Sequence, residues 1–181
     1  MIEKAYADAL FALLIDEGTD KSGFDVVLAQ LKSVCEVIRE VPDFVKLLNT
    51  PTISESEKLG IIDSAFGNKV DSYVYNFLRL VTVKGRMRYF SQMCNEFRCL
   101  YNERFNIAEI TVTSTAPLTE LQRTQLTLKM SGITGKTVVI TEKIDTAIIG
   151  GIVVDYGNTR LDGSVKTRLA ELKGNIAGII A

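Results

Sequence analysis

The spacing of apolar residues changes once along this chain, at Asn106, and that change restricts the folds it can adopt. Over residues 3–105 apolar positions recur every three or four residues, which is the spacing of one face of an α-helix. Over 108–113 apolar and polar residues alternate, as they do in a strand with one buried face. The sequence therefore predicts a helical domain over residues 1–105 and a second domain over 106–181.

The first domain is predicted to contain six helices. Helix breakers separate the successive apolar stripes, at Gly18, Pro42, Pro51, Gly67 and Gly85. Ser54 and Glu57 have the spacing of a capping box, in which the serine hydroxyl accepts from the Glu57 backbone and the carboxylate bonds back. Short amphipathic helices must bury one another, so we expect an N-terminal six-helix bundle.

The second domain is predicted to run strand, helix, three strands, helix. Thr119 and Gln122 form another capping box, and the helix that they open is expected to end at Gly132. The later elements are expected as strands at 136–142, at 151–156 and up to Leu161, with a final helix from about Ser164. The fold class is therefore α+β overall: a helical bundle followed by a small α/β domain with a short mixed sheet and two helices.

Composition and charge exclude several classes of protein. The chain is 46% hydrophobic and 24% charged, as ordinary soluble globular proteins are. With 21 basic and 22 acidic residues the net charge is -1, so no strong attraction to nucleic acid is expected. The longest uncharged apolar run, 147–154, is far shorter than the roughly 20 residues of a membrane-spanning helix. We expect no secretory signal, because acidic and basic residues occur from position 3 and no basic segment precedes an uninterrupted apolar core. We expect no transit peptide, because the first helix starts almost at Met1.

The inventory of reactive side chains also argues against catalysis. The chain has no histidine, which is the commonest general base and the commonest metal ligand. Its three cysteines, Cys35, Cys94 and Cys99, form no CxxC pair, and the odd number makes a poor disulfide framework. We expect thiols that are buried as small apolar groups, no metal site and no cofactor.

One motif nevertheless resembles a nucleotide site. "MSGITGKT", residues 130–137, ends like a phosphate-binding loop and offers Lys136 to a polyphosphate. Such a loop needs a glycine at the position of Met130 and must lie between a strand and the helix that follows. Here the predicted order is helix, turn, strand, so a glycine cap and a turn into an edge strand are favoured. A small nucleotide-dependent enzyme using Lys136 remains the alternative.

Two further groups of residues could carry chemistry. The basic residues Arg86 and Arg88, next to aromatic residues, could bind single-stranded RNA, but a solvated loop is the favoured interpretation. Asp162-Gly163-Ser164 has no histidine to activate the serine, so a helix cap is the favoured role. Gly150-Gly151 is interpreted as a tight turn into a strand.

The apolar faces of the first and fifth predicted helices are wider than a core contact requires. In the fifth helix they cover more than half of the circumference, which indicates two contacts instead of one. Periodicity alone therefore suggests that a partner helix docks in a groove on the first domain.

The segment "IDTAIIGGIVVDYGNTRLDGSVKTRLAELK", residues 144–173, closely resembles the signature region of the delta subunit of F-type ATP synthases, called the oligomycin-sensitivity-conferral protein in mitochondria. Three more segments resemble the family in family order: "YADALF" from Tyr6, "FLRLVTVKGRM" from Phe77 and "STAPLTELQ" from Ser114. One departure is Lys84, where the family often has asparagine. The resemblance extends over the whole chain.

This resemblance implies a non-catalytic stator subunit that resists rotor torque during proton-driven or sodium-driven ATP synthesis. Domain 1–105 would bind the N-terminal helix of alpha subunits of the catalytic head, and 106–181 would bind the b-type subunits of the peripheral stalk. The protein would meet a membrane only through the complex, at the cytoplasmic face of a bacterial plasma membrane or the equivalent organelle face. No nucleic acid, cofactor or metal is implied.

The family also implies two sets of site residues. The groove for the alpha helix would be lined by Tyr6, Ala9, Leu10 and Leu13 opposite Phe77, Leu80, Val81 and Lys84. The signature residues, structural or facing the stalk, would be Gly150, Gly151, Asp162, Gly163, Ser164, Leu169 and Leu172.

Overall fold

The structure is a computed structural model, and it describes residues 2–50, 52–157 and 159–169. The chain divides into two compact units, with the boundary between Phe105 and Asn106. Together the described residues form a mixed α/β fold. None of the helices within those ranges is long and apolar enough to cross a membrane.

The first unit is helical. Its helices are α1 (Ile2–Asp16), α2 (Lys21–Glu40), α3 (Pro42–Asn49), α4 (Glu55–Phe66), α5 (Ser72–Val83) and α6 (Phe90–Arg104), with a 3₁₀ turn at Met87–Tyr89. The predicted capping box of α4 is confirmed, because the Glu57 N–H donates to Ser54 Oγ at 3.3 Å and the Ser54 N–H donates to Glu57 Oε2 at 3.0 Å. Asp20 and Asp71 are the N-caps of α2 and α5: their carboxylates accept hydrogen bonds from the backbone N–H groups of Gly23 and Tyr73.

Aromatic rings form the centre of this unit. Phe90 and Phe97 of α6 are fully buried, and the ring of Phe11 from α1 lies 5.5 Å from that of Phe97. Phe11 also contacts Phe24 of α2 at 5.0 Å. Tilted and edge-on ring pairs such as these contribute about 0.5–1.5 kcal/mol each beyond the burial of their area. The core therefore joins α1, α2 and α6.

The second unit is a four-stranded mixed sheet with one described long helix. Its elements are β1 (Ile107–Ser114), α7 (Glu120–Thr134), β2 (Thr137–Ile144), β3 (Ile152–Tyr156) and β4 (Thr159–Asp162), with a 3₁₀ turn at Thr146–Ile148. The strand order is β2-β1-β3-β4. β1 and β2 are parallel because α7 carries the chain back to the start of the sheet, whereas the other neighbours are antiparallel.

One face of this sheet is the core of the unit. The register places Ile110 beside Ile140 on one neighbour and Tyr156 on the other, so their side chains share a face. Met130 and Leu126 of α7 pack onto that face. The buried cluster comprises Ala108, Ile110, Val112, Met130, Val138 and Val154.

The boundaries of α7 differ from the prediction at its C-terminal end. The capping box of Thr119 and Gln122 is confirmed, but α7 continues through Gly132 to Thr134. Gly135 ends the helix, with φ of 66° in the left-handed region that glycine adopts most easily. The sequence offers two glycines, Gly132 and Gly135, as the end of this helix, and the prediction chose the first. Only the backbone dihedral angles distinguish the two, because Gly135 alone has a positive φ.

The final predicted helix is described only at its start. Residues 165–169 are helical, and the Arg168 N–H donates to the Ser164 carbonyl at 3.2 Å. Leu172, a predicted signature residue, lies outside the described residues.

Candidate functional site

A groove lies between α1 and α5 of the first unit. Its volume is about 280 Å³. It is lined by Tyr6, Ala9, Leu10 and Leu13 from α1 and by Tyr73, Asn76, Phe77 and Leu80 from α5. Most of these side chains are apolar, so the groove suits an apolar ligand surface.

The groove exists because α1 carries two apolar faces. Ala7, Phe11 and Leu14 point into the core, whereas Leu13 is 44% exposed at the side of the groove. On α5, Leu80 is 48% exposed. Large exposed leucines that face each other across a concave surface are typical of a protein interaction site.

Hydrogen bonds close both ends of the groove, and each joins one of the two helices to a residue that follows the other: Arg86 follows α5, and Glu17 follows α1. At one end the Arg86 guanidinium donates from Nη1 to the Tyr6 hydroxyl at 2.8 Å and lies over the Tyr6 ring, 5.4 Å from its centre. At the other end the Tyr73 hydroxyl donates to the Glu17 carboxylate, which raises the pKa of Tyr73. The two bonds show that α1 and α5 are antiparallel, and they fix the spacing of the groove walls.

The structure brings six of the eight predicted groove residues together. Val81 instead is fully buried, so it supports the groove from the core, and Lys84 caps the C-terminus of α5 outside the lining. Sequence reasoning missed Tyr73 and Asn76. Asn76 is polar and could not be found by hydrophobic periodicity, but Tyr73 lies four residues before Phe77 on the same helical face.

In the second unit, the predicted signature residues Gly150 and Gly151 lie next to Gly163 and Ser164. Gly151 has φ of 83°, and a Cβ there would lie 2.5 Å from the carbonyl oxygen of Gly163. The Gly163 N–H donates to the Ile152 carbonyl at 3.0 Å, and the Val165 N–H donates to the Gly150 carbonyl at 2.9 Å. The two glycine segments therefore run against each other with no room for a side chain at Gly151.

Asp162 and Ser164 cap the helix that follows. The Asp162 carboxylate accepts from the Ser164 N–H and from the Thr167 hydroxyl, both at 2.9 Å. These bonds hold the pKa of Asp162 below its usual value, with the Ser164 backbone as the main cause. Ser164 is 2% exposed and its Oγ accepts from the Thr167 N–H at 3.3 Å, so the serine acts as a cap. Leu169 is exposed.

The Asp162 cap predicts an acid sensitivity of the second unit. Because the pKa of Asp162 is lower in the folded state, its stabilisation is present above the unfolded pKa of about 4 and is lost as pH falls through the folded pKa. Thermal melts from pH 7 to pH 3 should show a smaller acid-induced loss for Asp162→Asn than for the wild type. Asp155→Asn, which removes a long 3.8 Å ion pair with Arg160, is the control and should retain wild-type acid sensitivity. Parallel curves for the wild type and Asp162→Asn would contradict the assignment.

The alternative sites have local structural roles. Lys136 follows the left-handed Gly135 and leads into β2, so no helix begins there to bind a phosphate. Arg86 and Arg88 lie over the rings of Tyr6 and Tyr89, the second at 4.6 Å. Among the described residues no group of acidic or cysteine side chains could hold a metal ion.

The chain is similar to known proteins over nearly its whole length. Residues 2–176 match the family model described as ATP synthase delta (OSCP) subunit. The chain is 32% identical over 182 residues to ATP synthase subunit delta of Clostridioides difficile (strain 630), covering 100% of this chain and 98% of that protein. It is 33% identical over 169 residues to the protein of the same name from Clostridium botulinum (strain Loch Maree / Type A3), covering 93% and 94%.

A solved structure has the same fold. A chain of the Toxoplasma gondii mitochondrial ATP synthase hexamer superposes with a TM-score of 0.70 over 98% of both chains, at 19% identity. At 19% identity the superposition shows a shared fold and nothing further.

The match over residues 2–176 and the named relatives define the class of this protein as a non-catalytic structural subunit of a larger complex. The chain belongs to the ATP synthase delta (OSCP) family, whose members are stator components of the synthase.

Proposed function

We propose that this protein links the alpha subunits of the catalytic head to the b-type subunits of the peripheral stalk. The helices of the first unit would act as one six-helix bundle, and the N-terminal helix of an alpha subunit would lie in the groove between α1 and α5. The observation that carries this proposal is the pair of exposed leucines, Leu13 and Leu80, on opposite walls of the groove.

An apolar groove suits a stator. Rotation of the central shaft exerts torque on the head, and the stator must hold the head without any chemistry. Burial of apolar area contributes roughly 25 cal/mol per Å², so an amphipathic helix in the groove can bind tightly. The bonds of Tyr6 to Arg86 and of Tyr73 to Glu17 keep the walls in place before the helix arrives, which lowers the cost of binding.

The second unit would bind the stalk. α7 exposes Leu121 and Leu128, which are seven residues apart and therefore lie on one face of the helix. Such a face supports a helix-to-helix contact with a b-type subunit. The protein would then sit at the cytoplasmic face of a bacterial plasma membrane, or its organelle equivalent, through the complex. The coupling ion would be a proton or a sodium ion.

Co-purification and direct binding test this proposal. The full chain should elute with alpha and b-type subunits from detergent-solubilised membranes. A synthetic peptide of the alpha N-terminus should shift the amide NMR signals of α1 and α5 and leave those of α7 unchanged. A folded chain that binds no alpha peptide would refute the groove assignment, and loss of the b-type subunit alone would refute the role of the second unit.

A further inference from the structure

The groove between α1 and α5 has opposite charges at its two ends. The eight residues that line it are uncharged. Lys84 and Arg86 follow α5 at one end, which we call the basic end. At the other end, the acidic end, Asp16 is the last residue of α1 and Glu17 follows it. The groove is therefore apolar along its length and has an electrostatic direction.

Glu17 and Lys84 mark the two ends by the same geometry. Glu17 lies one helical turn after Leu13, and its N–H donates to the Leu13 carbonyl at 3.1 Å. Lys84 lies one helical turn after Leu80, and its N–H donates to the Leu80 carbonyl at 3.1 Å. Because residues four apart share one face of a helix, each charged residue continues the row of its exposed leucine. Asp16, Glu17 and Lys84 are all exposed, so a ligand in the groove can reach them.

Other charged residues near the two ends leave this difference in place. They occur as near neighbours of opposite sign: Glu3 with Lys4 at the basic end, and Asp20 with Lys21 and Lys69 with Asp71 at the acidic end. Opposite charges that close together largely cancel at the distance of a bound helix. Among the described residues, the surplus charge therefore comes from Lys84 and Arg86 at one end and from Asp16 and Glu17 at the other.

We propose that the groove binds its helix in one preferred direction, with the N-terminus of that helix at the basic end, so that it runs parallel to α1. This inference rests on the proposed function, in which the bound helix is the N-terminal helix of an alpha subunit. That helix is expected to have acidic residues in its first turn, next to Lys84 and Arg86. It is expected to have basic residues in its last turn, next to Asp16 and Glu17.

The physics of helix ends supports this direction. Acidic residues stabilise the first turn of a helix and basic residues the last turn, because the free backbone N–H groups make the N-terminus partly positive. The first turn of α4 in this chain is acidic in this way. The partial charge is only about half an elementary charge, so one or two carboxylates make the N-terminal turn negative overall. The basic end attracts such a turn, and the acidic end repels it.

The walls of the groove also set the length of the bound helix. Tyr73 bonds to Glu17 at the acidic end, and α5 rises from Tyr73 to Lys84 over roughly 16 Å at about 1.5 Å per residue. The acidic and basic turns of the partner should therefore be about 11 residues apart. Exposed ion pairs contribute little each, so we expect a preference of about tenfold for this direction at low salt. Apolar contact with Leu13 and Leu80 supplies most of the affinity.

Paramagnetic NMR on the full chain tests the direction. An alpha N-terminal peptide with a nitroxide at its N-terminus should broaden the amide signals of Lys84 and Arg86. A nitroxide at the C-terminus of its helix should instead broaden those of Glu17 and Gly18. In the double variant Asp16→Lys, Lys84→Glu, the affinity for the peptide should fall about tenfold at low salt, and the loss should shrink in 1 M salt, where the Debye length is about 3 Å. Glu17 and Arg86 are left intact because they hold the groove walls.

The matched control is the double variant Asp8→Lys, Lys32→Glu, which makes the same exchange of charge elsewhere. Asp8 is exposed but lies about 140° around α1 from Leu13, and Lys32 is exposed on α2. This variant should bind the peptide as the wild type does. Amide NMR spectra show whether each variant is folded.

The outcomes separate this inference from the proposed function. A peptide that lies in the groove with its N-terminus at the acidic end would overturn the direction and leave the groove as the binding site. A folded Asp16→Lys, Lys84→Glu protein with wild-type affinity would do the same. A peptide that does not bind in the groove of the wild-type chain would overturn the proposed function together with the direction.

Discussion

The Leu80→Asp protein is expected to fold normally and to lose binding of an alpha N-terminal peptide by at least about 100-fold. Truncation of a central interface side chain costs roughly 2–4 kcal/mol, and an unpaired carboxylate in an apolar groove adds a desolvation cost. Because Leu80 is half exposed, the folded state should lose no more than about 0.5 kcal/mol. Isothermal titration calorimetry and thermal melts measure the two effects separately.

The matched control is Leu47→Asp. Leu47 is a leucine of the same helical unit with 42% exposure, but it lies on α3 and does not line the groove. Its substitution should leave peptide affinity at the wild-type value. A folded Leu80→Asp protein that binds as the wild type does, or a Leu47→Asp protein that loses binding equally, would remove the groove from the proposed function.

The Gly151→Ala protein is expected to lose roughly 3 kcal/mol of stability in the second unit. An alanine is strained at φ of 83°, and its Cβ would approach the Gly163 carbonyl oxygen to 2.5 Å. That oxygen belongs to the backbone, so it cannot rotate away as a side chain could. In a unit of this size the thermal midpoint should fall by roughly 10–20 °C, as calorimetry would measure.

Gly132→Ala is the control for this substitution. Gly132 lies inside α7 with no atom within 4 Å of an added Cβ. Because alanine has the higher helix propensity, the substitution should raise the free energy of unfolding by about 0.5–1 kcal/mol. If Gly151→Ala melts as the wild type does, the close approach of the two glycine segments does not stabilise this unit. Unlike Leu80→Asp, Gly151→Ala should leave binding of the alpha peptide unchanged below its melting temperature, because the groove belongs to the first unit.

Local features were predictable because their interactions span only a few residues. The capping boxes opened by Ser54 and Thr119 connect residues three apart, and the structure confirms both. The same holds for the cap formed by Asp162, whose partners lie within five residues. The exception, Gly132 against Gly135, arose because two glycines compete for one helix end and only one adopts the left-handed conformation.

The groove was only partly predictable. The width of the apolar faces on α1 and α5 indicated a second contact, and the resemblance to the delta family indicated where it lies. Neither the apolar faces nor the resemblance could reveal that Val81 is fully buried or that Asn76 lines the groove. Whether an apolar residue of an amphipathic helix faces the core or the groove depends on where the neighbouring helices sit, since both faces satisfy the same period.

By itself, the sequence determined the helical and strand segments, most of their ends and the membership of a family, because hydrophobic period, caps and signature residues are local patterns. Only the tertiary structure decided which distant residues meet. Arg86 bonds to Tyr6, and the Cys94 thiol of α6 donates to the Leu31 carbonyl of α2, while Gly151 approaches Gly163. These contacts depend on the packing of whole elements and not on sequence spacing, so no local pattern could specify them.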